Sequence, residues 1–178
     1  MIAAIFVFGA MVGSFLNVCI VRLPEERSIV RPRSHCPSCG HQIAWYDNLP
    51  VLSFVLLRGH CRVCGVRISP LYPTVELLTG ALAVALWMRL GTTPAFAGYF
   101  LFAAALVTIT FIDLDHRIIP DVISLPGIVV GLAVSFVSPL VTPLGALLGV
   151  LAGGGVLLAI ATGSEWLRGR EGMGGGDV

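Results

Sequence analysis

Three stretches of this chain carry no charged residue over lengths that decide what it can fold into. Ile2 to Val21 has twenty such residues, Leu90 to Ile112 has twenty-three, and Val122 to Ser164 has forty-three. A helix crosses roughly 30 Å of hydrocarbon with about 20 mostly apolar residues, and lipid offers its backbone no other hydrogen-bond partners. Each run therefore reads as membrane-spanning helix. The longest is too long for one span, and Ser138-Pro139 and Thr142-Pro143 interrupt it near its middle, which predicts two helices of about 18 to 20 residues joined by a tight turn. Leu71 to Met88 forms a further span that contains Glu76, an ionisable group that is costly in lipid unless it faces protein or lies near an interface. The fold class is thus an all-α polytopic membrane protein of about five transmembrane helices, in keeping with 56% apolar and only 12% charged residues.

The polar residues set the topology. All eleven basic residues are Arg, and seven of them (Arg22, Arg27, Arg31, Arg33, Arg58, Arg62 and Arg67) fall between the first and second spans. By the positive-inside rule that segment is cytoplasmic and the N-terminus lies outside. Counting crossings from there, ten of the eleven Arg fall inside. The first span has no basic residue ahead of it and no small-residue cleavage pattern behind it, so it reads as a retained helix rather than a secretory signal. A net charge of +1 argues against a nucleic-acid partner held by a broad basic face.

Three regions follow: a first transmembrane helix over residues 1–21, a polar insert over 22–70, and a membrane core over 71–178. An insert this short makes a thin core, and modules of its size usually need a staple. Cys36-Pro37-Ser38-Cys39-Gly40 and Cys61-Arg62-Val63-Cys64-Gly65 are two CxxC turns separated by twenty-one residues. That is the spacing of a tetrathiolate zinc site made from two knuckles. Disulfides are the alternative, and a reducing cytoplasmic face favours the metal. Four thiolates close the coordination sphere, so the site is structural and metal-activated water is not its chemistry. His35, His41 and His60 flank the knuckles without a ligand position to fill. Cys19, within the first span, reads as a small packed apolar side chain.

Carboxylates beside the membrane helices are few. Asp113, Asp115 and Asp121 sit with His116 and Arg117 where the third span meets the cytoplasm, and Asp177 follows Gly174-Gly175-Gly176 in the tail. The topology brings Asp113 and Asp177 to the same membrane face from different helices. Two carboxylates at a partly dry site cannot easily both ionise, so one serves as base toward water and the other as acid toward a carbonyl. The alternative is that these aspartates are solvated loop residues and the glycines a flexible tail.

Taken together, the motifs resemble the bacterial type IV prepilin peptidases, the membrane aspartyl proteases that process prepilins and pseudopilins. Gly13-Ser14-Phe15-Leu16-Asn17-Val18 with Arg22-Leu23-Pro24 is similar to that family's first-helix signature. The insert resembles it through Arg31 to Cys36, Trp45 to Pro50, Gly59 to Arg62 and Ile68 to Glu76. The Asp113 segment and the GxGD of Gly174 to Asp177 resemble its two catalytic motifs. The resemblance implies Asp113 and Asp177 as the catalytic pair, with Asp115, Asp121, Glu76, Gly174 and Gly176 supporting, and Cys36, Cys39, Cys61 and Cys64 as zinc ligands. It implies cleavage after a Gly at the cytoplasmic face of the bacterial inner membrane, with prepilin or pseudopilin as substrate, and N-methylation of the new terminus from S-adenosylmethionine. Such families continue past the second motif, so the chain, which stops at Asp177-Val178, reads as C-terminally truncated. The competing reading is a non-catalytic membrane protein whose zinc module docks a cytoplasmic partner.

Overall fold

A computed structural model of the chain describes residues 1–168. In chain order these form α1 (Ile2–Arg22), a 3-10 turn over Trp45–Asn48, α2 (Leu52–Leu56), α3 (Leu71–Leu90), α4 (Pro94–His116), α5 (Asp121–Ser135) and α6 (Pro143–Arg168). The all-helical architecture expected of the apolar runs is present, and no strand occurs among the described residues beyond two isolated bridges in the insert. Four helices (α1, α3, α4 and α6) are long and apolar enough to cross a membrane. The chain is a multi-pass membrane protein.

The core is the bundle of α1, α3 and α4. Leu16 and Ile20 of α1, Val75 of α3, and Ala104, Val107 and Ile112 of α4 pack into one buried cluster. Between apolar helices in lipid the hydrophobic effect gives no driving force, so close packing of small residues takes its place. Gly9 and Gly13, one turn apart on α1, supply that closeness. A Cβ on Gly9 would lie 2.6 Å from Cβ of Ala83 and 2.9 Å from Cα of Gly80, and one on Gly13 would lie 2.8 Å from Cα of Glu76. Across from them, Gly80 faces the Phe6 ring. Asn17, buried one turn further along α1, donates from Nδ2 to the carbonyl of Tyr72 at 3.1 Å and ties together the ends of the two helices that adjoin the insert.

Helix ends depart from the sequence expectation in two places. The uncharged run stops at Ile112, but α4 continues through Asp113 and Asp115 to His116, and Arg117 ends it in the left-handed conformation (φ 56°) with its N–H on the Asp113 carbonyl. Only Arg117 to Pro120 then separate α4 from α5. The second departure is α5, which has 15 residues rather than about 18 to 20. At 1.5 Å per residue it is about 22 Å long, short of a full hydrocarbon crossing. It stops at Ser135 because the residue before Pro139 is biased away from helix, and Ser138 Oγ instead accepts from the N–H groups of Leu140 and Val141 at 3.0 and 3.1 Å. Pro143 then opens α6 at the first helical position, where a missing N–H costs nothing.

Because backbone rather than a movable side chain faces Gly13, Gly13→Val should push α1 and α3 apart. The expected cost is about 1–3 kcal/mol, read as a lowered unfolding midpoint in detergent micelles, whereas Gly127→Ala on α5, where nothing lies within 4 Å, should leave the midpoint unchanged.

Candidate functional site

Two constellations stand on this frame. In the insert, residues 23–70, only Cys36, Ser53 and Gly59 are buried, so apolar packing alone holds little of it together. What organises it is a pair of matching hairpins. In the first, Cys36 N–H bonds to the His41 carbonyl, Gly40 N–H to the Cys36 carbonyl, and Ile43 N–H to the Ser34 carbonyl. In the second, Cys61 N–H bonds to Val66, Gly65 N–H to Cys61, and Ile68 N–H to Gly59. Gly40 and Gly65 both sit at φ 70°, the left-handed conformation that closes each CxxC turn and that glycine adopts without strain.

The two hairpins bring the four sulfurs of Cys36, Cys39, Cys61 and Cys64 within 4.8 Å of one another, with Cys36 Sγ and Cys64 Sγ 3.7 Å apart. Tetrahedral coordination with metal–sulfur bonds near 2.3 Å sets sulfurs about 3.8 Å apart. The cluster therefore fits one thiophilic ion, and it is the single group of ligand atoms within reach of one ion among the described residues. The backbone is arranged for thiolate. N–H groups of Cys39 and Ser38 hold the Cys36 thiol below its ordinary range, and those of Cys64 and Val63 lower Cys61 to about 7. At Cys64 the Val66 N–H lowers, but burial and the neighbouring sulfurs outweigh it and leave the thiol at about 11. Four sulfurs this close share protons unless a cation takes their place. His35 and His60 turn their Nδ1 atoms to the carbonyls of Arg33 and Arg58 instead of the cluster.

Sequence reasoning missed what joins the insert to itself and to the membrane. Arg62, inside the second knuckle, grips Asp47 on the 3-10 turn through both carboxylate oxygens, at 2.6 and 2.8 Å, and lies over the Tyr46 ring. The guanidinium holds the Asp47 carboxyl below the usual carboxylate range. A lone Asp and a lone Arg fifteen residues apart give no local signal for this pair. Glu76 is the second link. It is buried on α3, and its Oε2 accepts from the backbone N–H of Val51, the residue before α2, at 2.7 Å. Glu76 thus links the insert to the bundle. Above it lies a cavity of about 490 Å³ whose lining includes Asn17, Asp47, Asn48, Tyr72 and Glu76.

The second constellation is at the end of α4, where Asp113 and Asp115 are both exposed, as is Asp121 at the start of α5. Two residues apart on a helix means about 200° of rotation, so the two aspartates serve opposite sides. Asp115 follows Ala104 by eleven residues, which returns it to within about 20° of that residue's face, and Ala104 packs on α1 and α3. Asp113 follows Tyr99 by fourteen residues, within about 40° of its face. Tyr99 bonds to Ser138, in the turn between α5 and α6, at 2.6 Å. Asp113 thus belongs to the side of α4 that meets α5 and the turn after it, the part of the chain that leads on to the second aspartate motif. Gly174, Gly176 and Asp177 lie outside the described residues.

Both constellations fall within stretches that match known families. The bacterial peptidase A24 N-terminal domain matches residues 7–90, which hold the four cysteines, and the type IV leader peptidase family matches residues 100–178, which hold the aspartates. A prepilin leader peptidase/N-methyltransferase of Aeromonas hydrophila is 40% identical over 197 residues, covering 97% of this chain and 68% of that protein. The chain belongs to the type IV leader peptidase family. Proteins of the same name from Myxococcus xanthus and Neisseria gonorrhoeae are 52% identical over 132 residues and 35% identical over 195. The match spans 74% of this chain but 39% of the Myxococcus protein, and 96% of this chain and 68% of the Neisseria one. No solved structure matches.

For this leader-peptidase-family chain, metal analysis should find close to one thiophilic ion per chain at neutral pH. Protons compete with the ion for thiolates, so occupancy should fall as the pH is lowered, and Cys61→Ser should lose the ion at every pH. Glu76→Ala leaves the Val51 N–H without its acceptor and should loosen the insert by about 1–3 kcal/mol, seen as faster proteolysis between Arg58 and Arg67. Glu76→Gln, which keeps an oxygen acceptor, should restore much of the resistance.

Proposed function

We propose that this protein is a membrane aspartyl endopeptidase that removes the leader of type IV prepilins or pseudopilins, cutting after Gly at the cytoplasmic membrane face, and then N-methylates the new terminus. The observation that carries the reading is the placement of Asp113. It stands in the last turn of α4, a helix of the buried bundle, is itself exposed, and lies on the face toward α5, from which the chain leads on to Asp177. Asp113 and Asp177 are the pair. One, as carboxylate, takes a proton from water as its oxygen attacks the scissile carbonyl, while the other, protonated, donates to the carbonyl oxygen. The gem-diol intermediate collapses as the carboxyl that gained the proton passes it to the leaving amine and the other carboxylate takes a hydroxyl proton back, which breaks the C–N bond and restores the pair. Asp115, turned toward α1 and α3, and Asp121, at the start of α5, support the site, and Gly174 and Gly176 let an extended substrate backbone approach.

Zinc is the ion the four sulfurs hold, in a closed and structural role. Such an ion contributes folding free energy to the insert and takes no part in peptide cleavage. S-Adenosylmethionine serves as the methyl donor, and the cavity between insert and bundle falls within the roughly 300–1,000 Å³ that encloses small ligands. The chain sits in the bacterial inner membrane with its N-terminus outside, so that the Arg-rich insert and the Asp113 end of α4 share the cytoplasmic face. A docking scaffold without catalysis has no observation in its favour.

The test is mass spectrometry of a prepilin incubated with the full-length protein in lipid. Asp113→Asn should reduce cleavage on the order of 10³-fold while zinc content stays near one per chain. Asp115→Asn should retain most of it. Unchanged cleavage by Asp113→Asn would remove that residue from the mechanism.

A further inference from the structure

The insert presents an apolar face that its own fold does not use. In the five residues of α2, Leu52, Val55 and Leu56 fall at i, i+3 and i+4 and are 52%, 64% and 71% exposed, while Ser53 on the other side is buried. The stripe widens into Leu49 before the helix and into Trp45, 79% exposed, on the 3-10 turn that packs against α2. No charged residue interrupts Leu49 to Leu57, and the exposed Arg58 follows at once.

The hydrogen bond from Val51 to Glu76 fixes the height of this face. Glu76 is the sixth residue of α3, so its Cα lies about 7–8 Å along the axis from the first. A helical side chain leans toward the N-terminus of its helix, which carries the carboxylate back toward the level of Leu71 and Tyr72. The N-terminus of α2 is therefore held beside the first turns of a membrane span, where hydrocarbon gives way to headgroups. At that level of α3 Tyr72 is 38% exposed, and further along the same helix Leu77 and Leu78 are 46% and 41% exposed. The composition suits the place. An apolar face, an aromatic ring and a flanking Arg that can reach the phosphates are the parts of an interfacial helix. Residues 22–70 carry seven Arg against three carboxylates, a balance that favours an anionic bilayer surface.

We propose that α2 is an interfacial anchor, with Leu52, Val55 and Leu56 set into the boundary between headgroups and acyl chains, holding the four-cysteine module down on the membrane. The insert then rests on four supports: its two chain connections to α1 and α3, the Val51 to Glu76 hydrogen bond, and this apolar foot. The foot keeps the insert from swinging about its connections and keeps the cavity roofed. Nothing in this depends on peptide cleavage.

The test uses the full chain in vesicles of phosphatidylcholine and phosphatidylglycerol. Trp45, Trp87 and Trp166 are replaced by Phe, Leu56→Trp supplies the one fluorophore, and metal content near one per chain certifies the fold. Lipid brominated high on its acyl chains should quench the emission about twofold or more, as expected for a face set ~5–10 Å into the boundary, while aqueous acrylamide quenches weakly. Leu52→Trp, one turn earlier on the stripe, should behave alike and stands in if the first variant loses its metal. Strong quenching by acrylamide with none by bromolipid would place the stripe in water and overturn the anchor. Protection from both would show that protein covers the stripe, a second copy or a later part of the chain, and would overturn it equally.

Discussion

The close approach of α1 and α3 is the contact on which the rest depends. It joins the two ends of the insert, because α1 leads into it and α3 leads out of it. Were large side chains to stand at Gly9 and Gly13, the helices would separate by ångströms, and the Asn17 to Tyr72 bond at 3.1 Å would be lost with them. The insert has so little buried core that it cannot correct such a shift by its own packing. Its geometry comes from the helix pair below, from the sulfur cluster within, and from the Arg62 to Asp47 clasp that links the second knuckle to the turn between the two.

The bundle also divides the chain's labour. α4 shows one face, through Ala104, Val107 and Ile112, to α1 and α3, and another, through Gly98 and Tyr99, to α5 and the turn beyond it. The first face supplies rigidity and the second leads toward the tail. A carboxylate that must meet a partner from the tail belongs on the second. This is a geometric reason to separate Asp113 from Asp115 that rests on helical rotation alone, and it agrees with the role that family resemblance implies for Asp113.

Much of this was legible in the sequence. Uncharged runs mark helices in lipid because the bilayer leaves the backbone no alternative, and CxxC-Gly turns mark a sulfur cluster because few other arrangements use that spacing. What the sequence hid was set by contacts distant along the chain. That α4 would continue through Asp113 and Asp115 could not be read from charge, since a change from apolar to polar residues marks the membrane boundary and not the end of the helix. The shortness of α5 depends on the turn around Ser138 and on Tyr99, thirty-nine residues away. The partner of Glu76 is a backbone N–H, which leaves no mark in the sequence.

Glu76 shows why a carboxyl group is retained there. An ionisable side chain in a membrane helix is costly, and an apolar residue of the same volume would pack as well against Gly13. No apolar residue could accept a hydrogen bond from the insert, however, and Val51 at φ 60° directs its N–H away from any helical partner. The bond satisfies a backbone donor at a helix start and fixes the insert's height at the same time. The clasp, the sulfur cluster and the apolar stripe of α2 lie in the module that this bond ties to α3, so a single buried acceptor adds to the two chain connections in setting how the insert sits on the bundle.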